Sequence, residues 1–138
     1  MDDRRADADR TIELRVAAQL ENLAVLRTLV GAVGTFEDLD LDAVADLRLA
    51  IDEACTLLIR SAVAGSTLRL VLHCRDEAVA VDASTTCDTS DVVAPGSFSW
   101  HVLSSLTDEV HVFRDGQEPH GPRVFGISMC MKRAKAAG

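Results

Sequence analysis

The patterned part of the chain opens on strict alternation: Ile12, Leu14 and Val16 are apolar, with Glu13 and Arg15 between them. A period of two sends alternate side chains to opposite faces, so residues 11–17 read as a half-buried strand. From Gln19 the period lengthens. Leu20, Leu23, Leu26, Leu29 and Val30 recur at steps of three and four, the mark of an amphipathic helix. Gly31 and Gly34 weaken its end, and Gly34-Thr35 is expected to begin a connection. Asp40 is placed to cap the next helix, although Ala43 stands where a capping box would carry Glu. That helix, residues 41–62, is apolar on more than one side through Val44, Leu47, Ala50, Ile51, Ala54, Leu57, Leu58 and Ile59, so it is expected to be central.

After Gly65-Ser66 the alternation returns. Leu68, Leu70 and Leu72 predict a strand over 67–74, and Val79 and Val81 a second over 77–83, joined by a tight turn at Arg75-Asp76. Residues 84–99 form a long polar stretch, and a loop of that length in a compact domain is usually functional. A short helix over 100–106 and a strand over 109–114 follow. A turn over 115–122 then leads to a last strand over 124–131. Strands in runs, with helices grouped between them, indicate an α+β fold with helices on one face of the sheet.

Composition narrows the class. The 138 residues are 48% apolar and 26% charged, enough for one core without disulfide or metal. Residues 1–10, only Asp, Arg and Ala after Met1, are expected to be a disordered tail, leaving 11–138 as one domain. That tail resembles neither a signal peptide nor a transit sequence, and no run approaches the ~18 apolar residues of a membrane span, so a cytoplasmic protein is expected. The net charge of −8 disfavours direct contact with nucleic acid and suits an acidic regulator that docks on a basic protein. Cys55, Cys74, Cys87 and Cys130 lack metal spacing and read as free thiols. Cys87, placed in the polar stretch, is left open to a redox role. The four histidines have no metal spacing either.

Three segments carry the chemistry. The first is Asp46-Leu-Arg-Leu-Ala-Ile-Asp-Glu53-Ala-Cys-Thr-Leu57 on the long helix. The second is Val79-Ala-Val-Asp82-Ala-Ser84-Thr-Thr86-Cys-Asp88 at the end of a strand. The third runs from Gly96-Ser97-Phe-Ser99-Trp100 through Asp108-Glu109-Val110. In order and spacing they resemble the N, G1 and G2 boxes of the GHKL ATPases, as arranged in the RsbW/SpoIIAB anti-sigma factors. The resemblance covers residues 11–133 and is strongest, over 21–59 and 88–102, to the mycobacterial anti-sigma-F branch of that family.

The resemblance implies a two-layer GHKL (Bergerat-type) sandwich with a mixed, mostly antiparallel sheet. It makes Glu53 a general base and Asp82 the acceptor of an adenine amino group. Leu57 stands where the family carries an Asn that binds Mg²⁺, and leucine offers no oxygen. Ser84 and Thr86 replace one pair of glycines. In the third box Gly96 remains, while Ser97 and Ser99 replace the others. Weak use of ATP and Mg²⁺ is therefore expected. The implied function is sequestration of an alternative, sigma-F-like sigma factor, opposed by STAS-type anti-anti-sigma proteins. Homodimers are implied through the sheet edge, with strand 11–17 supplying the contact. The alternative is an active ATP-dependent serine kinase acting on the antagonist.

Simpler readings stand beside these. Asp52-Glu53 reads equally as a solvated helix edge, Asp82 as the start of a loop, and Ser97 and Ser99 as helix caps. Trp100 reads as core before partner anchor. The exposed side of the first helix, with Glu21, Asn22 and Arg27, is the candidate partner surface. An unrelated small α+β binding module is the remaining alternative.

Overall fold

The computed structural model describes residues 10–88, 92–115 and 123–133. The elements are β1 (Arg10–Ala17), a 3-10 turn (Leu20–Asn22), α1 (Leu23–Phe36), α2 (Leu41–Ser61), β2 (Thr67–Cys74), β3 (Ala78–Cys87), α3 (Phe98–Leu106), β4 (Glu109–Asp115) and β5 (Arg123–Lys132). The expected tail falls, but for Arg10, outside the described residues, as does the turn over 115–122 beyond Asp115.

The strands form one open sheet in the order β1-β2-β3-β5-β4. In keeping with the mostly antiparallel sheet expected, every pairing among the described strands is antiparallel. Register decides the faces. One set of cross-strand rows, Ile12–Leu72–Val81–Met129–Val110 and Leu14–Leu70–Ala83–Ile127–Val112, is apolar and turns to the helices. The alternate set, including Glu13–Val71–Asp82–Ser128–His111, lies on the opposite, uncovered face. An antiparallel sheet with one wet face alternates in this way.

The helix layer is built on α2, with Leu47, Ala50, Ile51, Ala54 and Leu58 wholly buried among Leu26 and Val30 of α1, Leu103 of α3 and the apolar rows. Asp40 caps α2 as expected, its Oδ1 accepting the Ala43 N–H at 2.8 Å.

Two boundaries differ from expectation. Gly31 and Gly34 lie inside α1, which runs to Phe36. A Cβ on Gly34 would come within 3.1 Å of Val44, so the glycine lets α1 and α2 approach closely and does not end the helix. The end comes at a Schellman motif: Leu39 N–H donates to the Gly34 carbonyl and Asp38 N–H to that of Thr35, with Asp38 at φ +60°. In addition, β3 extends through Cys87, because Ser84, Thr85 and Thr86 pair with Gly126, Phe125 and Val124. The expected loop from residue 84 is correspondingly shorter. Val92 and Val93 within it are buried in the core.

At the same corner Glu37 is buried between two guanidinium groups. Its carboxylate accepts from Arg10, at the start of β1, and from Arg133, just past β5, at 2.5 Å. Arg133 also donates to the Glu37 carbonyl and, at 2.8 Å, to that of Arg75 in the β2–β3 turn. Burial alone would raise the Glu37 carboxyl, but Arg133 and Arg10 outweigh it and hold it below its ordinary value. A depressed carboxylate contributes stability that is present above the unfolded-state pKa, about 4.3, and is lost as pH falls through the folded value. Glu37→Gln should lower unfolding free energy by about 2–3 kcal/mol at neutral pH and flatten the acid limb of stability against pH. Urea titrations across that range measure both. An unchanged acid limb in the variant would remove Glu37 from this role.

Candidate functional site

Glu53 and Ser99 come together. Glu53 sits half-buried on α2, and the Ser99 hydroxyl, in the first turn of α3, donates to Glu53 Oε2 at 3.0 Å. The turn into α3 is set by Gly96, whose φ of +82° suits glycine, and by Ser97, whose hydroxyl caps the helix by accepting the Trp100 N–H at 3.2 Å. This preserves a helix start with free N–H groups, a feature that favours anions. The nearest hydroxyl, however, is already engaged by a carboxylate. One turn after Glu53, Leu57 packs half-buried against the core and offers no metal ligand.

Asp82, Ser84 and Thr86 lie elsewhere. Asp82 was expected at a strand end. It lies within β3, paired on one side with Val71 and on the other with Ser128. Strand alternation turns it to the uncovered face, where its Oδ2 is 3.2 Å from His73 Nε2. The helix-facing neighbour at this point is the wholly buried Ala83. Ser84 and Thr86 share the uncovered face and help line a cavity of ≈ 270 Å³ with Arg15, Arg69 and Asp115. Nearby, Glu13 is held down to about 2 by hydrogen bonds from Arg69 and Arg15. A sheet therefore separates the Asp82 group from the Glu53–Ser99 pair.

Of the candidate partner residues, Glu21 is exposed, while the Asn22 amide donates to the Ala17 carbonyl at 2.8 Å and ties β1 to the helix layer. Arg27 is half-exposed, with its Nε 3.6 Å from Asp52 Oδ1. Trp100 is partly buried against the core. Cys87 is not in a polar loop: it is buried at the end of β3, and burial, with Asp88 adding to it, pushes its thiol up to about 11. Cys55 is pushed further, to about 12, by burial and Asp52. These environments suppress thiolate and oppose a redox role.

The fold and these positions can be set against known proteins. No family model matches the chain. The anti-sigma-F factor RsbW of Mycobacterium tuberculosis is 64% identical over 129 residues, spanning 93% of this chain and 77% of that protein. The chain belongs to the RsbW anti-sigma factor family. The serine-protein kinase RsbW of Bacillus pumilus is more distant, at 25% identity over 124 residues, spanning 73% of this chain and 76% of that protein. For this RsbW-family chain, the Mg²⁺–nucleotide group that the resemblance implies meets a poor set of partners. Asp82 faces away, Ala83 takes the helix-facing slot, Leu57 lacks an oxygen and Ser99 holds Glu53. The residues present do not fit that group.

Two outcomes follow from this geometry. Ser97→Ala should cost about 1 kcal/mol through the lost cap, read from the shift in a urea midpoint. Under native conditions at mildly alkaline pH, iodoacetamide should label half-buried Cys130 before Cys55 or Cys87, as followed by mass spectrometry. Native labelling of Cys87 as fast as in denaturant would contradict its buried placement.

Proposed function

We propose that the chain binds and sequesters an alternative, sigma-F-like sigma factor, and that competing STAS-type anti-anti-sigma proteins release it. The observation that carries this reading is the 64% identity, across 93% of the chain, to a protein named for anti-sigma-F activity. The net charge of −8 supports attraction to a basic DNA-binding partner and adds to association rate more than to affinity. Sequestration needs only mutually exclusive complexes, a coupling of binding free energies that requires no chemical step. It is therefore compatible with a nucleotide site whose residues are split between two faces of the sheet.

ATP and Mg²⁺ contribute little in this reading. The alternative, an ATP-dependent serine kinase acting on the antagonist, is supported by Glu53 itself and by the distant relative named as a kinase. We further propose a homodimer. β1 is an edge strand, and its Ile12, Leu14 and Val16 are only half-buried within one copy, as suits an edge that gains a neighbour.

Titrating the purified sigma-F-type factor into the protein by calorimetry tests the main reading. A 1:1 protomer complex is expected, with affinity changed less than about threefold by Mg²⁺–ATP. No detectable complex at low salt would sink the proposal. Rapid transfer of labelled phosphate to an anti-anti-sigma protein would instead establish the kinase alternative.

A further inference from the structure

The outer side of the helix layer carries a groove that the Glu53 region does not use. Between α1 and α2 lies a cavity of ≈ 740 Å³, bordered by Gly31, Ala32, Phe36, Leu41, Ala45 and Arg48. A second, of ≈ 350 Å³, adjoins it through Arg27, Ala45 and Arg48, and extends to Leu49 and Asp52. The shared residues make one trough along the two helices. Its floor is low because Gly31, Ala32 and Ala45 have little or no side chain.

The walls are unusual for water-facing helices. Phe36 is 71% exposed, Leu41 85% and Leu49 57%. Val25 extends the same line, since positions 25, 28, 32 and 36 fall on one stripe of α1. Clustered exposed apolar side chains of this size mark interaction surfaces more often than isolated ones do.

Charge selects the occupant. The chain is strongly acidic overall, yet two guanidinium groups meet in this trough. Arg27 has only a long contact to Asp52, at 3.6 Å. Arg48 lies across Gly31, where a Cβ would approach its Cδ to 3.2 Å, and among the described residues no ion-pair partner is found for it. A guanidinium over an apolar floor is suited to a carboxylate carried between apolar side chains, through paired N–H donors.

We propose that the α1–α2 groove receives an amphipathic helix of the sigma factor, its apolar face on Phe36, Leu41 and Leu49 and a carboxylate on Arg48 and Arg27. The arrangement is that of a helix laid in a groove, with anchors at three- and four-residue spacing. It rests on the sequestration reading above and adds the surface. Overall acidity brings a basic partner close, and the groove then sets register by a local contact of opposite sign.

The test uses the full chain and the purified sigma-F-type factor. Arg48→Glu and, separately, Leu41→Ser with Leu49→Ser should each weaken binding by about tenfold or more. Both sets of side chains are exposed, so melting curves should match the unmodified protein. Phe98→Ser, equally exposed but on α3, should leave affinity unchanged and serves as the control. Arg48→Lys should retain more binding than Arg48→Glu. If the unmodified protein binds and both groove variants bind equally well, the groove assignment is wrong while sequestration stands. If the unmodified protein does not bind, sequestration fails and takes the groove assignment with it. Should one variant lose its native melting transition, the other decides the matter alone.

Discussion

The constraint on which most of this molecule depends is the continuous pairing of β3 on both sides. β5 bonds it along one edge from Ala78 to Cys87, and β2 along the other from Val79 to Ser84. A strand held in this way has no freedom to rotate a side chain through the sheet, since a change of face requires a one-residue slip or a bulge. Val79, Val81, Ala83 and Cys87 must therefore supply the core, and Asp82 must face outward. The same pairing seats α2 against β3 and β5, and α2 in turn positions α1 and α3. One ladder of hydrogen bonds thus decides both the hydrophobic core and the dispersal of the candidate nucleotide residues.

Much of this was legible in the residue pattern because period and burial agree. The strand over 67–74 and the long central helix are where alternation and helical spacing place them, and the α+β class follows from their order. What the pattern could not convey was tertiary in origin. The two glycines of α1 look like a helix end in isolation, and only Val44 across the interface explains them. Ser84, Thr85 and Thr86 have turn-like polarity, yet two of them are β-branched and all find partners on β5. For the site, Glu53 and Ser99 come from separate boxes and do meet, while Ser97 serves only as the cap of α3. Asp82 has the spacing of the second box but turns to the face away from Glu53, because spacing along the chain does not record the face to which a strand turns. Glu37 gave no local signal, since its partners lie 27 and 96 residues away.

In this RsbW-family chain the core is continuous, while the polar residues of the three boxes lie on two faces of the sheet. The Ser99–Glu53 hydrogen bond joins α3 to α2 at the point where the family resemblance would put substrate chemistry. Loss of ligand residues costs such a protein little if its role is exerted at a surface. The core residues then shape that surface, and α2 supplies more of them than any other element.

The corner around Glu37 has a topological consequence. Arg10 opposes Cys74 at the start of β1, and Arg133 N–H reaches the Glu77 carbonyl, so both ends of the described fold flank the same β2–β3 turn. Neighbouring ends allow a chain to be circularly permuted with a short linker. Joining residues 133 and 10 and opening the chain between Asp88 and Val92 would leave all five strands in their present order. Covalent continuity at that corner would then take over the task now left to one carboxylate and two guanidinium groups.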